Sequence, residues 1–232
     1  MCTRFVCNAQ DTITGFNFDI DLSVWDHTIL KEKDRFCIGI KRPDGLYHGY
    51  HGVHACGNVG TLLYVHGNAA GMHPCRADCC TVAELTEAFI KNELSFDEAL
   101  RTVQEKKIVY AVDATMQSML SDKTGRVLII EPGIGWRAER NRCSLITNYS
   151  LLQPESTRPY IVPGDDRFER AQQLLREVQG DFTTADAFSV LRGTLQRGLW
   201  ATRVSFVYSV KERCVYYARS GDLEQVETHA FS

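Results

Sequence analysis

A chain of 232 residues, 44% hydrophobic and 24% charged, has the composition of a globular protein and the length for one large domain. Its net charge of −3 supplies no basic footprint for nucleic acid or an anionic membrane, and no apolar run approaches the ~20 residues of a membrane span. The first residues lack the basic region and apolar core of a secretory signal, so the expectation is a cytoplasmic protein with no membrane and no nucleic-acid partner.

In chain order, residues 3–9 and 12–20 read as two strands around Gln10-Asp11, with Phe16, Phe18 and Ile20 alternating against Asn17, Asp19 and Asp21. Residues 36–41 read as a buried strand. Pro43-Asp44-Gly45 is a turn, because proline presets φ and glycine supplies positive φ. A strand pair follows at 46–56 and 60–66. Thr81-Val82-Ala83-Glu84 and Ser95-Phe96-Asp97-Glu98 are capping boxes that open helices to about 92 and about 105. Strands return at about 115–121 and at Val127–Ile130, joined by a turn at 122–125, and again at 143–148.

The apolar positions Phe168, Ala171, Leu174, Leu175 and Val178 mark one face of a helix over 166–178, and 184–197 reads as a weaker helix. Strands at about 203–210 and 213–218 close the chain. No composition shift, linker or repeat divides residues 1–232, which read as a single domain. Antiparallel strands with helices gathered in pairs indicate a layered α+β fold.

There are nine cysteines. An odd count without a secretion signal predicts reduced thiols rather than a disulfide framework. Cys2 differs from the rest by its position. Once Met1 is removed it carries a thiol and a free α-amine, whose ordinary pKa of roughly 7.7–8.0 lets it take the thiol proton near neutral pH. Nucleophile and base then arrive in one residue, held at the start of a hairpin strand.

Several segments together resemble the choloylglycine hydrolase-type N-terminal nucleophile (Ntn) hydrolases, the group of bile salt hydrolases and penicillin V acylases. Met1-Cys2-Thr3 resembles the family's start. Gly15-Phe16-Asn17-Phe18-Asp19 resembles the strand ending in its catalytic-site aspartate. Ser121-Asp122-Lys123-Thr124-Gly125, followed by Ile129-Ile130-Glu131, resembles its "DKSG…IE" hairpin. Leu145-Ile146-Thr147-Asn148 resembles its "LTN" strand, Asp166-Arg167-Phe168 its helix-starting arginine, and Thr202 through Tyr217 its closing hairpin.

The resemblance implies a four-layer αββα sandwich of two mostly antiparallel sheets. It also implies hydrolysis of a linear amide C–N bond in a small N-acyl substrate, with no cofactor, no metal and at most further copies of the chain as partners. It places Cys2 as nucleophile, Asp19 and Arg167 beside it, and Asn148 as an oxyanion donor. Asn68, in Gly67-Asn68, corresponds to a second oxyanion asparagine. Phe16 stands where the family has an arginine, and only 18 residues separate Asn148 from Arg167, as in a short form lacking an insertion. Phe16, Phe18 and Trp25 supply apolar surface for an acyl pocket.

Other readings remain open at this point. Acyl transfer to an amine differs from hydrolysis only in what attacks the thioester, and Phe16 admits a catalytically degenerate member. A glutamine amidotransferase-type domain also begins Met-Cys, but the residues after Cys2 lack the glycine that usually follows there, and the downstream matches favour the acylase group. His48, His51 and His54, followed by Cys56, His66, His73, Cys75, Cys79 and Cys80, offer zinc-type ligands without a paired C-x-x-C spacing.

Overall fold

The computed structural model describes residues 2–72 and 78–232; Met1, His73 and Cys75 lie outside them. The chain begins as a hairpin, β1 (Thr3–Asn8) and β2 (Thr12–Asp19), and continues through β3 (His27–Lys31), β4 (Arg35–Lys41), β5 (Tyr47–His54) and β6 (Val59–Tyr64). A short strand β7 (Cys79–Thr81) leads into α1 (Val82–Ile90) and α2 (Phe96–Glu105). Both helices open on the expected capping boxes: Thr81 and Ser95 accept from the backbone of Glu84 and Glu98, whose carboxylates reach back. Then come β8 (Lys107–Val109), β9 (Met116–Ser121), β10 (Val127–Glu131), β11 (Gly135–Glu139) and β12 (Cys143–Ile146). Helices α3 (Pro154–Thr157), α4 (Arg167–Glu177) and α5 (Thr184–Gly193) precede the closing strands β13 (Thr202–Ser209), β14 (Cys214–Arg219) and β15 (Glu227–Ala230).

These elements form two antiparallel sheets. One has the order β12-β1-β2-β13-β14-β15, the other β11-β10-β9-β6-β5-β4-β3. Phe16, Phe18, Val204 and Phe206 of the first sheet meet Phe36, Ile38, Leu63 and Met119 of the second in one buried layer. The opposite face of the first sheet, through Phe5, Ile13 and Val207, packs on Ala171 and Leu175 of α4 and Val190 and Leu191 of α5. The outer face of the second, through Leu62, Leu120 and Leu128, packs on Leu85 and Phe89 of α1 and Ala99 and Val103 of α2. The result is helix, sheet, sheet, helix, the expected four-layer sandwich.

The period of two explains why β1 and β2 sit at its centre. Cys2, Val6, Phe16 and Phe18 face the inter-sheet layer, while Phe5, Cys7 and Ile13 face the helices. Gly15 is required by close approach, since a Cβ there would lie 2.1 Å from Cζ of Phe5. Asn17, buried on the helix side, donates to the Leu191 carbonyl and the Thr194 hydroxyl and accepts from Ser205. Its polar alternation with the phenylalanines is thus a second buried face rather than a solvated one.

Strands β3, β11 and β15 were not expected from the sequence. Each sits at a sheet edge, where half-exposed residues lose the alternation that marks inner strands. The parallel pair β7–β8 was also unexpected. The helix expected over 184–197 ends earlier, at Gly193.

One cysteine expectation is corrected. Cys7 and Cys143 face each other in the β1–β12 register with Cα atoms 4.2 Å apart, and they form a disulfide. The pairing of two strands 136 residues apart in sequence put these thiols together, and a cysteine count carries no trace of that. Closing so long a loop restricts the unfolded chain. Reduction, or Cys7→Ser, is therefore expected to lower stability by about 2–5 kcal/mol. Urea unfolding with and without reductant checks this, and coincident midpoints would contradict it.

Candidate active site

Cys2 lies at the head of β1, 5% exposed, in the layer between the sheets. Three of the other residues singled out in the sequence converge on it. Its backbone N–H donates to Oδ1 of Asn148 at 2.6 Å, its thiol points to the backbone carbonyl of Asp19 at 3.8 Å, and its own carbonyl accepts from Nη1 of Arg167 at 3.0 Å. Asp19 arrives at the end of β2, Asn148 just past the end of β12, and Arg167 as the first residue of α4.

Arg167 joins the cluster together. Its guanidinium also donates to Oδ1 of Asn148 at 3.0 Å, and it pairs with Asp19 at 3.4 Å and with Asp165 at 2.6 Å. A cation in the first turn of a helix opposes the helix dipole. Here Asp165 offsets that misfit, accepting from both the Arg167 backbone N–H and its guanidinium. Burial raises the Asp165 carboxyl, but the Arg167 hydrogen bonds outweigh it and hold it below the usual carboxylate range. Asp165 was not foreseen. Its signal was the Asp165-Asp166 pair immediately before an arginine whose helix position was already unfavourable.

Asp19 is satisfied from two sides, with Thr202 donating to Oδ1 at 2.6 Å and Arg167 to Oδ2. Thr202 comes from β13, where a register shift between Thr202 and Val204 interrupts the pairing with β2. Burial pushes the Asp19 carboxyl up to about 7, against the pull of Arg167 and Thr202. Burial also raises the Cys2 thiol, again against Arg167. Asp19, Asp165 and Arg167 together carry one excess negative charge when ionised. An ammonium at Cys2 would balance it.

The Asn148 amide is held from both ends. Its Oδ1 accepts from two donors, Cys2 and Arg167, which fixes the amide, and Nδ2 gives one hydrogen to the Tyr64 carbonyl at 2.7 Å. The second Nδ2 hydrogen is left uncommitted among the described residues. The segment after Asn148 is held by the buried Glu131 carboxylate, which accepts from the backbone N–H groups of Leu151 and Leu152 and from the Ser150 hydroxyl. The hairpin that ends in Glu131 thus supports the Asn148 strand.

Asn68 is not brought to this cluster. It caps the turn at 69–71, accepting from the Gly71 N–H, and donates both amide hydrogens, to the Tyr110 hydroxyl and the Pro132 carbonyl at 2.9 Å each. With those donors committed, it holds the loop that carries Met72 instead of facing Cys2.

Cys2 and Asp19 open on a cavity of about 410 Å³, within the ~300–1,000 Å³ range of small-molecule sites. Phe18 and Trp25 line it as expected, joined by Ile20, Ile40, Leu62, Met72, Met116 and Trp200. Phe16 does not line it. It is fully buried in the core, 5.5 Å from the Phe206 ring and 5.2 Å from the His51 ring. At the rim Arg42 pairs with Asp113 and lies over the rings of Trp25 and Tyr50. Arg4 does not replace the cation absent at Phe16. It is fully buried, donates to the Phe5 carbonyl and to Ser121, and burial lowers it to about 9.

The histidine cluster disperses. His48 contacts Asp44 and Glu87, His54 accepts from the Cys56 N–H, and His51 enters the cavity. Among the described residues no three His, Cys, Asp or Glu side chains are arranged to hold a metal ion. No described helix is long and apolar enough to cross a membrane.

Comparison with solved structures finds the same fold in several enzymes of low sequence identity. The C2A mutant of conjugated bile acid hydrolase from Clostridium perfringens superposes with a TM-score of 0.73 at 13% identity, covering 99% of this chain and 92% of that one. Penicillin V acylase from Agrobacterium tumefaciens gives 0.67 at 16% identity, over 94% and 83% of the two chains. The Caenorhabditis elegans ortholog of N-acylethanolamine-hydrolyzing acid amidase gives 0.62 at 15% identity, over the full length of both. No protein-family model and no curated protein matches the sequence. The chain therefore has the αββα fold of the choloylglycine hydrolase-type Ntn hydrolases, the class its sequence resembles.

Removing the guanidinium takes the cation from the buried Asp19 carboxylate and the half-buried Asp165 carboxylate. Arg167→Met is expected to lower stability by about 3–5 kcal/mol, read from urea unfolding. A loss below about 1 kcal/mol, the level of an exposed ion pair, would contradict the account of Arg167.

Proposed function

We propose that the chain hydrolyses a linear amide bond of a small N-acylated substrate through a thioester on Cys2. One observation carries this reading: the only thiol at the mouth of the apolar cavity belongs, among the described residues, to Cys2, and the Asp19, Asn148 and Arg167 side chains surround its backbone. The structural neighbours are named for conjugated bile acid, penicillin V and N-acylethanolamine substrates. The lining of this cavity suits an apolar acyl group.

The chemistry follows from the groups present. Loss of Met1 exposes the Cys2 amine; until then that nitrogen is an amide and cannot act as a base. The amine takes the thiol proton, and the thiolate attacks the amide carbonyl to form a tetrahedral oxyanion. The oxyanion collapses to a thioester as the resulting ammonium protonates the departing nitrogen. Water then adds to the thioester, releasing the carboxylic acid and restoring the thiol. Asp19 and the excess negative charge of the cluster stabilise the ammonium between these steps. In this reading the remaining Nδ2 hydrogen of Asn148 donates to the developing oxyanion. Because burial raises the thiol and Phe16 supplies no charge, the amine must be close to the sulfur for thiolate to form.

The test is turnover of a panel of N-acyl amides differing in acyl chain and amine. Cys2→Ala is expected to abolish turnover. Asn148→Ala is expected to cut kcat about 10²–10³-fold, the usual cost of losing one oxyanion donor. Turnover by Cys2→Ala at the level of the unaltered protein would overturn the proposal.

A further inference from the structure

His51 is a buried polar group in the acyl cavity that the mechanism leaves unused. It is 4% exposed, yet it lines the same cavity as Cys2. Its place there depends on an irregularity in β5. The pairing of β4 with β5 runs Ile38 to His51 and then Gly39 to Gly49, so Tyr50 is an extra residue in the strand. Successive residues of an unbroken strand point to opposite faces. The bulge lets both Tyr50 and His51 line one cavity, and bulges next to functional sites re-aim side chains in this way.

The ring's hydrogen is assigned by its neighbour. Where the β5–β6 pairing stops, the backbone N–H of Leu62 donates to Nδ1 of His51 at 3.1 Å. Nδ1 is therefore an acceptor. Burial keeps the ring neutral, lowering its pKa to about 3, so the single ring hydrogen sits on Nε2. The plane is clamped by Phe16, stacked with centroids 5.2 Å apart, and by Phe18 at 4.9 Å. No described residue accepts from Nε2. The other charged groups of the cavity wall are committed, Arg42 to Asp113 and Asp19 to Arg167 and Thr202. An occupant that covers the Nε2 donor without accepting from it is disfavoured.

Building on the acylase reading, we infer that His51 is a specificity residue whose Nε2–H donates to an oxygen in the acyl chain, so that the cavity selects acyl groups bearing an ether, carbonyl or hydroxyl oxygen over all-carbon chains. The substrate class narrows accordingly, from N-acyl amides in general to N-acyl amides oxygenated along the acyl chain. His51 acts on the chain and takes no part in proton transfer at Cys2.

The probes are N-decanoylglycine and its isosteres in which one chain methylene at a time is replaced by an ether oxygen. Their binding is measured by calorimetry on the Cys2→Ala protein, which removes cleavage, and their turnover on the protein with Cys2 intact. At least one oxygenated isostere is expected to bind about tenfold or more tightly than the decanoyl parent. That preference is expected to fall below about twofold in His51→Phe and His51→Asn. Asn keeps an acceptor for the Leu62 N–H but has no atom at the Nε2 position, so it serves if the Phe variant does not fold.

Equal affinities across the series, no binding of any member, or a preference that survives both substitutions would each overturn the inference. A His51-dependent binding preference without turnover by the Cys2-intact protein would uphold this inference while counting against the hydrolase reading.

Discussion

The buried Arg167 guanidinium is the constraint on which the rest of the site depends. A charge taken out of water at the start of a helix is tolerated only if its donors are used, and Arg167 uses them on four partners from four parts of the chain. It meets the carbonyl of Cys2 from β1, the carboxylate of Asp19 from β2, the amide of Asn148 after β12, and Asp165 just before its own helix. The outer helix layer is thereby tied through the first sheet to the point where Cys2 meets the inter-sheet core. The cluster keeps one carboxylate more than it has guanidinium groups. An N-terminal ammonium would balance that charge.

The site is built at the places where regular pairing fails. The register shift in β13 brings Thr202 onto Asp19, and the bulge in β5 turns His51 toward the cavity. The sheets supply rigidity on either side. The cavity sits over the ends of β2 and β6, closed by loop residues such as Met72, Val112 and Trp200. This division suits a site that must hold a nucleophile fixed while admitting an apolar chain.

Much of this was legible in the sequence, because the relevant signals are local. The capping boxes at Thr81 and Ser95, the alternation of Phe16 and Phe18, and the turn between β9 and β10 each declare an element within a few residues. Cys2, Asp19, Asn148 and Arg167 were readable as a set from the motifs that resemble one family, and the structure brings the last three side chains around Cys2. What was not legible is non-local. The Cys7–Cys143 disulfide depends on which strands pair. The edge strands lack alternation because one side is exposed. Asn68 sat in a plausible glycine–asparagine context, but its donors are consumed by Tyr110 and Pro132, both distant in sequence. Phe16 was expected beside Phe18 and Trp25 in the pocket, but its ring fills the core and stacks on His51.

The central claim is that Cys2 is an N-terminal nucleophile, and intact mass spectrometry tests it most directly. The purified protein would be weighed before and after exposure to an activated acyl donor, with peptide mapping of the product. The account predicts a starting mass lacking Met1 and a single acyl group on the Cys2 thiol. A protein that lacks Met1 and remains unacylated at Cys2, or that carries the acyl group on another residue, would contradict it.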